Sequence, residues 1–129
     1  MDFHNSVVLI TGGASGIGEA TTRYFVSLGA YVVVADRDTE RGQKLAEEYR
    51  GKIDFYQADV GSEDQVKSLF DFIRQKHGVL DVLHNNAAYS LSKTLWDTTA
   101  EEWDKVMYVN LRGYFLCAKY ALDLSLIHI

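Results

Sequence analysis

Short apolar runs alternate with amphipathic stretches along the whole chain, with no repeat, linker or low-complexity segment between them. Val7–Ile10 is an apolar run that ends in a glycine cluster, and it reads as a strand. Ile17, Ala20, Tyr24, Phe25 and Leu28 then recur at helical spacing, and Gly29 supplies the stop. Tyr31–Ala35 is continuous and β-branched, as expected of a strand buried on both faces. Leu45 and Tyr49 mark a more polar helix that ends before Gly51, and Ile53–Ala58 reads as the third strand. Ser62 with Gln65 predicts a capping box. Behind it Val66, Leu69, Phe70 and Ile73 predict a helix that stops at Gly78, and Leu80–His84 predicts the fourth strand. Thr99 with Glu102 predicts a second capping box. The helix it opens carries Trp103, Met107, Asn110, Tyr114 and Cys117 along one stripe, so the Asn110 amide is expected to face the interior.

The order β-α-β-α-β-α-β-α implies an α/β fold, with a doubly wound parallel sheet, right-handed crossovers and helices on both faces. Ligands of such sheets bind beyond the carboxyl ends of the strands, where the strand order reverses. Composition narrows the partners. A formal charge of −5 with no basic block argues against nucleic acid and against an anionic membrane. No apolar stretch reaches 18 residues, so no bilayer span is expected. The start, Met-Asp-Phe-His-Asn-Ser, has no positive n-region and is not expected to be a signal peptide. A lone cysteine, Cys117, fits a reducing cytoplasm. His4, His77, His84 and His128 have no metal-ligand spacing. Trp96 lies in a loop that either roofs a substrate or simply packs.

The first strand runs into Thr-Gly-Gly-Ala-Ser-Gly-Ile-Gly, Thr11 to Gly18, and a helix follows at once. Gly12 lets the chain turn sharply, while Gly16 and Gly18 remove side chains where a phosphate and the helix approach the backbone. The helix N-terminus offers free N–H groups and partial positive charge to a pyrophosphate. Glu19 follows the last glycine where a P-loop has lysine, so the P-loop reading fails.

Asp36 closes the second strand, 18 residues after Gly18, where Rossmann-type sites place a carboxylate on the adenosine ribose hydroxyls. A 2′-phosphate about 4 Å away would be repelled by roughly 4 kcal/mol at an effective dielectric of about 20. Even half of that favours NAD over NADP more than tenfold. Arg37 works in the other direction, because a neighbouring arginine can accommodate the phosphate.

The glycine loop, Asp59-Val60 after the third strand, Asn85-Asn86-Ala87-Ala88 after the fourth and Val109-Asn110-Leu111-Arg112-Gly113 in the last helix together resemble the short-chain dehydrogenase/reductase family. The resemblance runs from Val7 to about Leu122. It implies that Gly12, Ser15, Gly16, Ile17, Gly18, Asp36, Arg37, Asp59, Val60, Asn86, Ala87 and Ala88 bind the dinucleotide. In the family an acidic residue or asparagine at the position of Asp59 contacts the adenine amino group, and the next residue covers the ring. Ala88 replaces a glycine of the family pattern, and His84 stands where an apolar residue is usual. The asparagine matching Asn110 holds a water that relays protons to the active-site lysine.

The resemblance further implies a hydride-transferring oxidoreductase acting on a small alcohol/carbonyl substrate, cytoplasmic, and a homodimer or homotetramer. The family's catalytic serine and Tyr-x-x-x-Lys lie beyond the helix that closes this chain, and Tyr108, Tyr114 and Tyr120 have no lysine four residues on. The expectation is therefore the N-terminal half of the sheet, residues 1–123, inactive by itself. Residues 124–129, Leu-Ser-Leu-Ile-His-Ile, translate CTG TCT CTT ATA CAC ATC, a transposon-end adapter of sequencing libraries, and are expected to be an artefactual tail. Two other readings are a non-catalytic dinucleotide-binding sensor or scaffold and a methyltransferase. Against the latter stand Asn85-Asn86-Ala87-Ala88 and the inward Asn110.

Overall fold

The computed structural model describes residues 2–125. Its elements are β1 (Val7–Thr11), α1 (Gly16–Ser27), β2 (Tyr31–Asp36), α2 (Thr39–Glu48), β3 (Ile53–Gln57), α3 (Glu63–Lys76), β4 (Val82–His84), α4 (Ala100–Met107), a π-helical turn (Tyr108–Arg112) and α5 (Gly113–Ser125). The four strands are parallel in the order β3-β2-β1-β4. Strand order therefore reverses at β1, whose carboxyl end faces that of β4, and the glycine loop leaves β1 there.

Alternation along the central strands builds two cores. Val7 and Leu9 with Val33 and Ala35 meet Val66, Leu69, Phe70 and Ile73 of α3 and Leu116 and Cys117 of α5. Val8, Ile10, Val32 and Val34 face the other way, toward Leu45 of α2 and Phe25 and Val26 of α1. The predicted inward face of α3 is buried throughout, because it lies flat on the sheet with no turn irregularity to rotate it. The Thr99–Glu102 capping box is reciprocal, with Glu102 N donating to Thr99 Oγ1 at 3.1 Å and Thr99 N to Glu102 Oε2 at 3.0 Å.

Three expectations need correction. In α1, Ile17 and Tyr24 are 77% and 63% exposed, and Gly18 and Thr22 make the buried contact instead. The first turn sits so close to β1 that a Cβ on Gly18 would lie 2.0 Å from Gly12 O, so glycine rather than an apolar residue must occupy the inward face. At the start of α3, Gln65 Oε1 accepts from Asp59 N at 2.8 Å rather than from the Ser62 backbone, so only half of that capping box forms. In the last helix the stripe from Trp103 to Cys117 is split: Trp103 is 56% exposed and Cys117 fully buried, and the inward line runs through Val109, Gly113, Leu116, Ala121 and Leu124. The π-turn between them inserts one residue, which rotates the two halves against each other by roughly 100°. Of the expected tail, Leu124 and Ser125 continue α5 with Leu124 buried, and 126–129 lie outside the described residues. Among the described residues, no helix is long and apolar enough to cross a membrane.

Candidate functional site

A cleft of about 350 Å³ opens over the carboxyl ends of β1, β2 and β3. Ten of the twelve residues expected to bind a dinucleotide line it: Gly12, Ser15, Ile17, Asp36, Arg37, Asp59, Val60, Asn86, Ala87 and Ala88. Gly16 and Gly18 do not line it; Gly18 packs against Gly12 O and Asn86 Nδ2. Gly12 (φ +66°) makes the turn out of β1, and a Cβ there would fall 2.9 Å from the Ala87 backbone. Gly16 (φ +55°) has open space where a Cβ would point. Ser15 is the N-cap of α1, yet its side chain makes no capping bond. The first turn of α1 thus presents N–H groups without a side-chain cap, and nothing among the described residues lies within 4 Å of where a Gly16 Cβ would point. That is the donor set an anionic diphosphate requires, and a nicotinamide dinucleotide fits it.

The cleft is stitched together by one hydroxyl and one amide. Thr11 Oγ1 accepts from Asn86 N at 3.0 Å and from Ala87 N at 3.1 Å. Asn86 Nδ2 donates back to Thr11 O at 3.1 Å and Gly12 O at 3.2 Å. Asn86 thereby cross-links the carboxyl ends of β1 and β4. Asn85 turns away, donating from Nδ2 to Tyr114 O at 3.3 Å, and its buried Oδ1 has no donor among the described residues.

Asp36 is held in place before any ligand arrives. Its Oδ2 accepts from Ala14 N at 3.0 Å, which ties the end of β2 to the glycine loop, and its Oδ1 accepts from Asp38 N at 3.0 Å. Arg37 beside it is exposed and lines the same cleft. At the far end, Asp59 Oδ1 accepts from Gly61 N at 3.0 Å, and Val60 is buried beside Gly113 of α5.

Asn110 does not line the cleft; its neighbour Val109 does. Its amide grips the loop after β4, with Oδ1 accepting from Tyr89 N at 2.7 Å and Nδ2 donating to Tyr89 O at 2.8 Å. Asparagine here thus replaces a strand partner for Tyr89, whose backbone would otherwise lack one. Tyr89 and Thr11 are the residues to which sequence reasoning gave no role, although Thr11 heads the quoted glycine pattern. Tyr89 does have a lysine four residues on, Lys93. It lies outside regular structure, however, and Lys93 Nζ pairs with Glu102 while the cation over the Tyr89 ring, 4.3 Å from its centroid, is Lys105. Trp96 is 94% exposed.

Comparison with known proteins agrees with this geometry. The profile of the short chain dehydrogenase family matches residues 6–127. A (+)-cis,cis-nepetalactol synthase of Nepeta racemosa is 45% identical over 119 residues, which cover 89% of this chain and 44% of that protein. A 3-oxoacyl-[acyl-carrier-protein] reductase of Thermotoga maritima is 42% identical over 118 residues, 89% of this chain and 48% of that one. The crystal structure of a short-chain dehydrogenase/reductase, glucose/ribitol dehydrogenase, from Brucella melitensis superposes with a TM-score of 0.92 at 27% identity, over 97% of this chain and 54% of its own. This chain therefore spans less than half the length of the two curated relatives.

Proposed function

This chain belongs to the short-chain dehydrogenase family, and from that premise we propose that its cleft holds NAD in preference to NADP, as the cofactor half of an oxidoreductase for a small alcohol/carbonyl pair. When bound, the nicotinamide supplies a hydride acceptor or donor. The chain's own residues do the holding. The N-terminus of α1 and Ser15 receive the diphosphate. Asp36 accepts from ribose hydroxyls, Asp59 from the adenine amino group, and Val60 covers the ring. Asn86, Ala87 and Ala88 border the second ribose.

The observation that carries the preference for NAD is the immobilised Asp36 carboxylate, bonded to Ala14 N inside the glycine loop. It cannot swing away from an added phosphate without giving up that bond. Arg37 is exposed, so water screens its opposing pull. Asn110 spends one amide hydrogen and one lone pair on Tyr89. The hydrogen and lone pair that remain suffice to hold a water, which supports a proton-relay role in the complete protein. The outward apolar residues Leu111, Phe115 and Leu122 support a homodimer or homotetramer, which sedimentation of the complete protein tests.

Calorimetric titration of the chain with NAD, NADP and S-adenosylmethionine tests the reading. NAD is expected to bind at least about tenfold more tightly than NADP, and Asp36→Asn to narrow that ratio. Tighter NADP binding overturns the preference. Binding of S-adenosylmethionine without either dinucleotide overturns the family-based function.

A further inference from the structure

Val109 is the one residue of the π-turn that lines the cleft, yet its neighbours reach both of the loops that bound it. Toward the loop after β3, Arg112 Nε donates to Gly61 O at 2.9 Å. Tyr108 lays its ring on the same glycine, where a Cβ would fall 2.1 Å from Tyr108 Cε1. Gly113, just past the turn, is bare against Val60, and a Cβ there would meet Val60 Cγ2 at 2.7 Å. Toward the loop after β4, Asn110 grips Tyr89 N and O at 2.7 and 2.8 Å. These loops leave strands that are not neighbours, since β2 and β1 lie between β3 and β4. Three strand spacings of about 4.8 Å put the two strand ends roughly 14 Å apart. Among the described residues no hydrogen bond joins residues 59–61 to residues 85–89 directly, and the turn spans the gap between them.

We propose that Arg112 is a positioning residue that sets the spacing between the two halves of the dinucleotide site, bracing the loop after β3 against the turn that holds the loop after β4; this rests on the dinucleotide reading above and deepens it. Arg112 does not line the cleft, and its side chain borders an outer groove with Met107, Leu111 and Phe115. It therefore acts through Gly61 and not on the ligand. A dinucleotide meets both loops at once. Loops already at its own spacing need no rearrangement when it binds, whereas loops that drift must be ordered by the ligand. A mononucleotide meets one loop, and the distance to the other does not enter its affinity. The shape of the loop after β3 survives without Arg112: Asp59 Oδ1 accepts from Gly61 N at 3.0 Å, Asp59 O from Ser62 N at 3.0 Å, and Gln65 Oε1 from Asp59 N at 2.8 Å. Loss of the brace is thus felt by the joined ligand and not by its halves.

The test titrates wild-type chain and Arg112→Met with NAD, adenosine monophosphate and nicotinamide mononucleotide, the two halves being followed by ligand-observed NMR. Arg112 is exposed, and methionine keeps the apolar stem while losing the Nε–H donor. NAD is expected to bind about three- to tenfold more weakly to the variant, the effect of ordering one loop on binding, with each mononucleotide within about twofold of wild type. Were the arginine acting by charge on the phosphates, its loss would weaken both mononucleotides along with NAD. Such a parallel loss, or NAD binding unaltered in Arg112→Met, overturns the positioning role and leaves the dinucleotide reading standing. Wild type that binds no NAD overturns both.

Discussion

Replacing Thr11 by valine keeps the shape of a fully buried side chain and removes one oxygen, which makes it a clean probe of how the cleft is held. Thr11 is 1% exposed, and its Oγ1 accepts from two successive backbone amides, Asn86 N and Ala87 N. Its own donation to His84 O is long, at 3.4 Å, and contributes little. In the variant both amides lose their acceptor. An unsatisfied buried donor costs about 1–3 kcal/mol, and this loop is only partly buried, so the pair together should cost about 2–4 kcal/mol. At roughly 2.1 cal/mol/K of unfolding entropy per residue, 1 kcal/mol shifts Tm by about 4 °C in a chain of 129 residues. The expected drop is about 7–15 °C by circular dichroism. Thr11→Ser keeps the oxygen and loses one buried methyl, about 1 kcal/mol or about 4 °C. The order wild type, Ser, Val is the signature of a hydroxyl acting on the loop. Valine as stable as serine would falsify the reasoning, because the oxygen that meets two amides would then be worth no more than one methyl.

Three further substitutions test other parts of the structure. Burial pushes the Cys117 thiol up to about 12 from 9.0. The unfolded thiol ionises first, so stability is full below about pH 9 and is lost toward pH 12, at up to about 1.4 kcal/mol per pH unit. Cys117→Ala should flatten that limb of the pH–stability curve, and an unchanged limb would assign it to other groups. Asn110→Ala removes both bonds to Tyr89 and should cost about 2 kcal/mol while raising hydrogen exchange at the Tyr89 amide; full protection there would show that another group satisfies it. Arg23 bonds Glu19 and Glu48 but is 38% exposed on its side chain. Arg23→Met should therefore cost less than about 1 kcal/mol in a thermal melt, and a larger loss would mean that water does not screen this network.

The glycine loop, Asp36, Asp59 and the Asn86 segment were legible because each sits where a strand ends, and strand ends are what the apolar runs mark most clearly. The chain then needs no long-range information to gather them: parallel strands bring all their carboxyl ends to one side. What stayed hidden is what reaches across that side. No local pattern states that Thr11 Oγ1 meets two amides 75 and 76 residues away, or that Gly61 is bare for the sake of Tyr108. The helix-facing positions of α3 were readable for the opposite reason, since burial of Val66, Leu69, Phe70 and Ile73 follows directly from their spacing.

The last helix shows what such a spacing rule assumes. A period of 3.6 residues places Trp103 and Cys117 on one face only if every turn between them is an α-turn. The π-turn at Tyr108–Arg112 breaks that assumption, and the exposures of 56% for Trp103 and 0% for Cys117 measure the break. Within the turn Tyr108 and Arg112 lie on one side and Asn110 on the other, so one segment serves Gly61 and Tyr89 together. The extra residue costs some helical hydrogen bonding, and the turn that holds it makes three contacts: Arg112 Nε on Gly61 O, Tyr108 on Gly61 and Asn110 on Tyr89. Those are the two loops that close the cleft from either end. The irregularity that defeats the periodic reading is therefore the element that ties the two ends of the site to one helix.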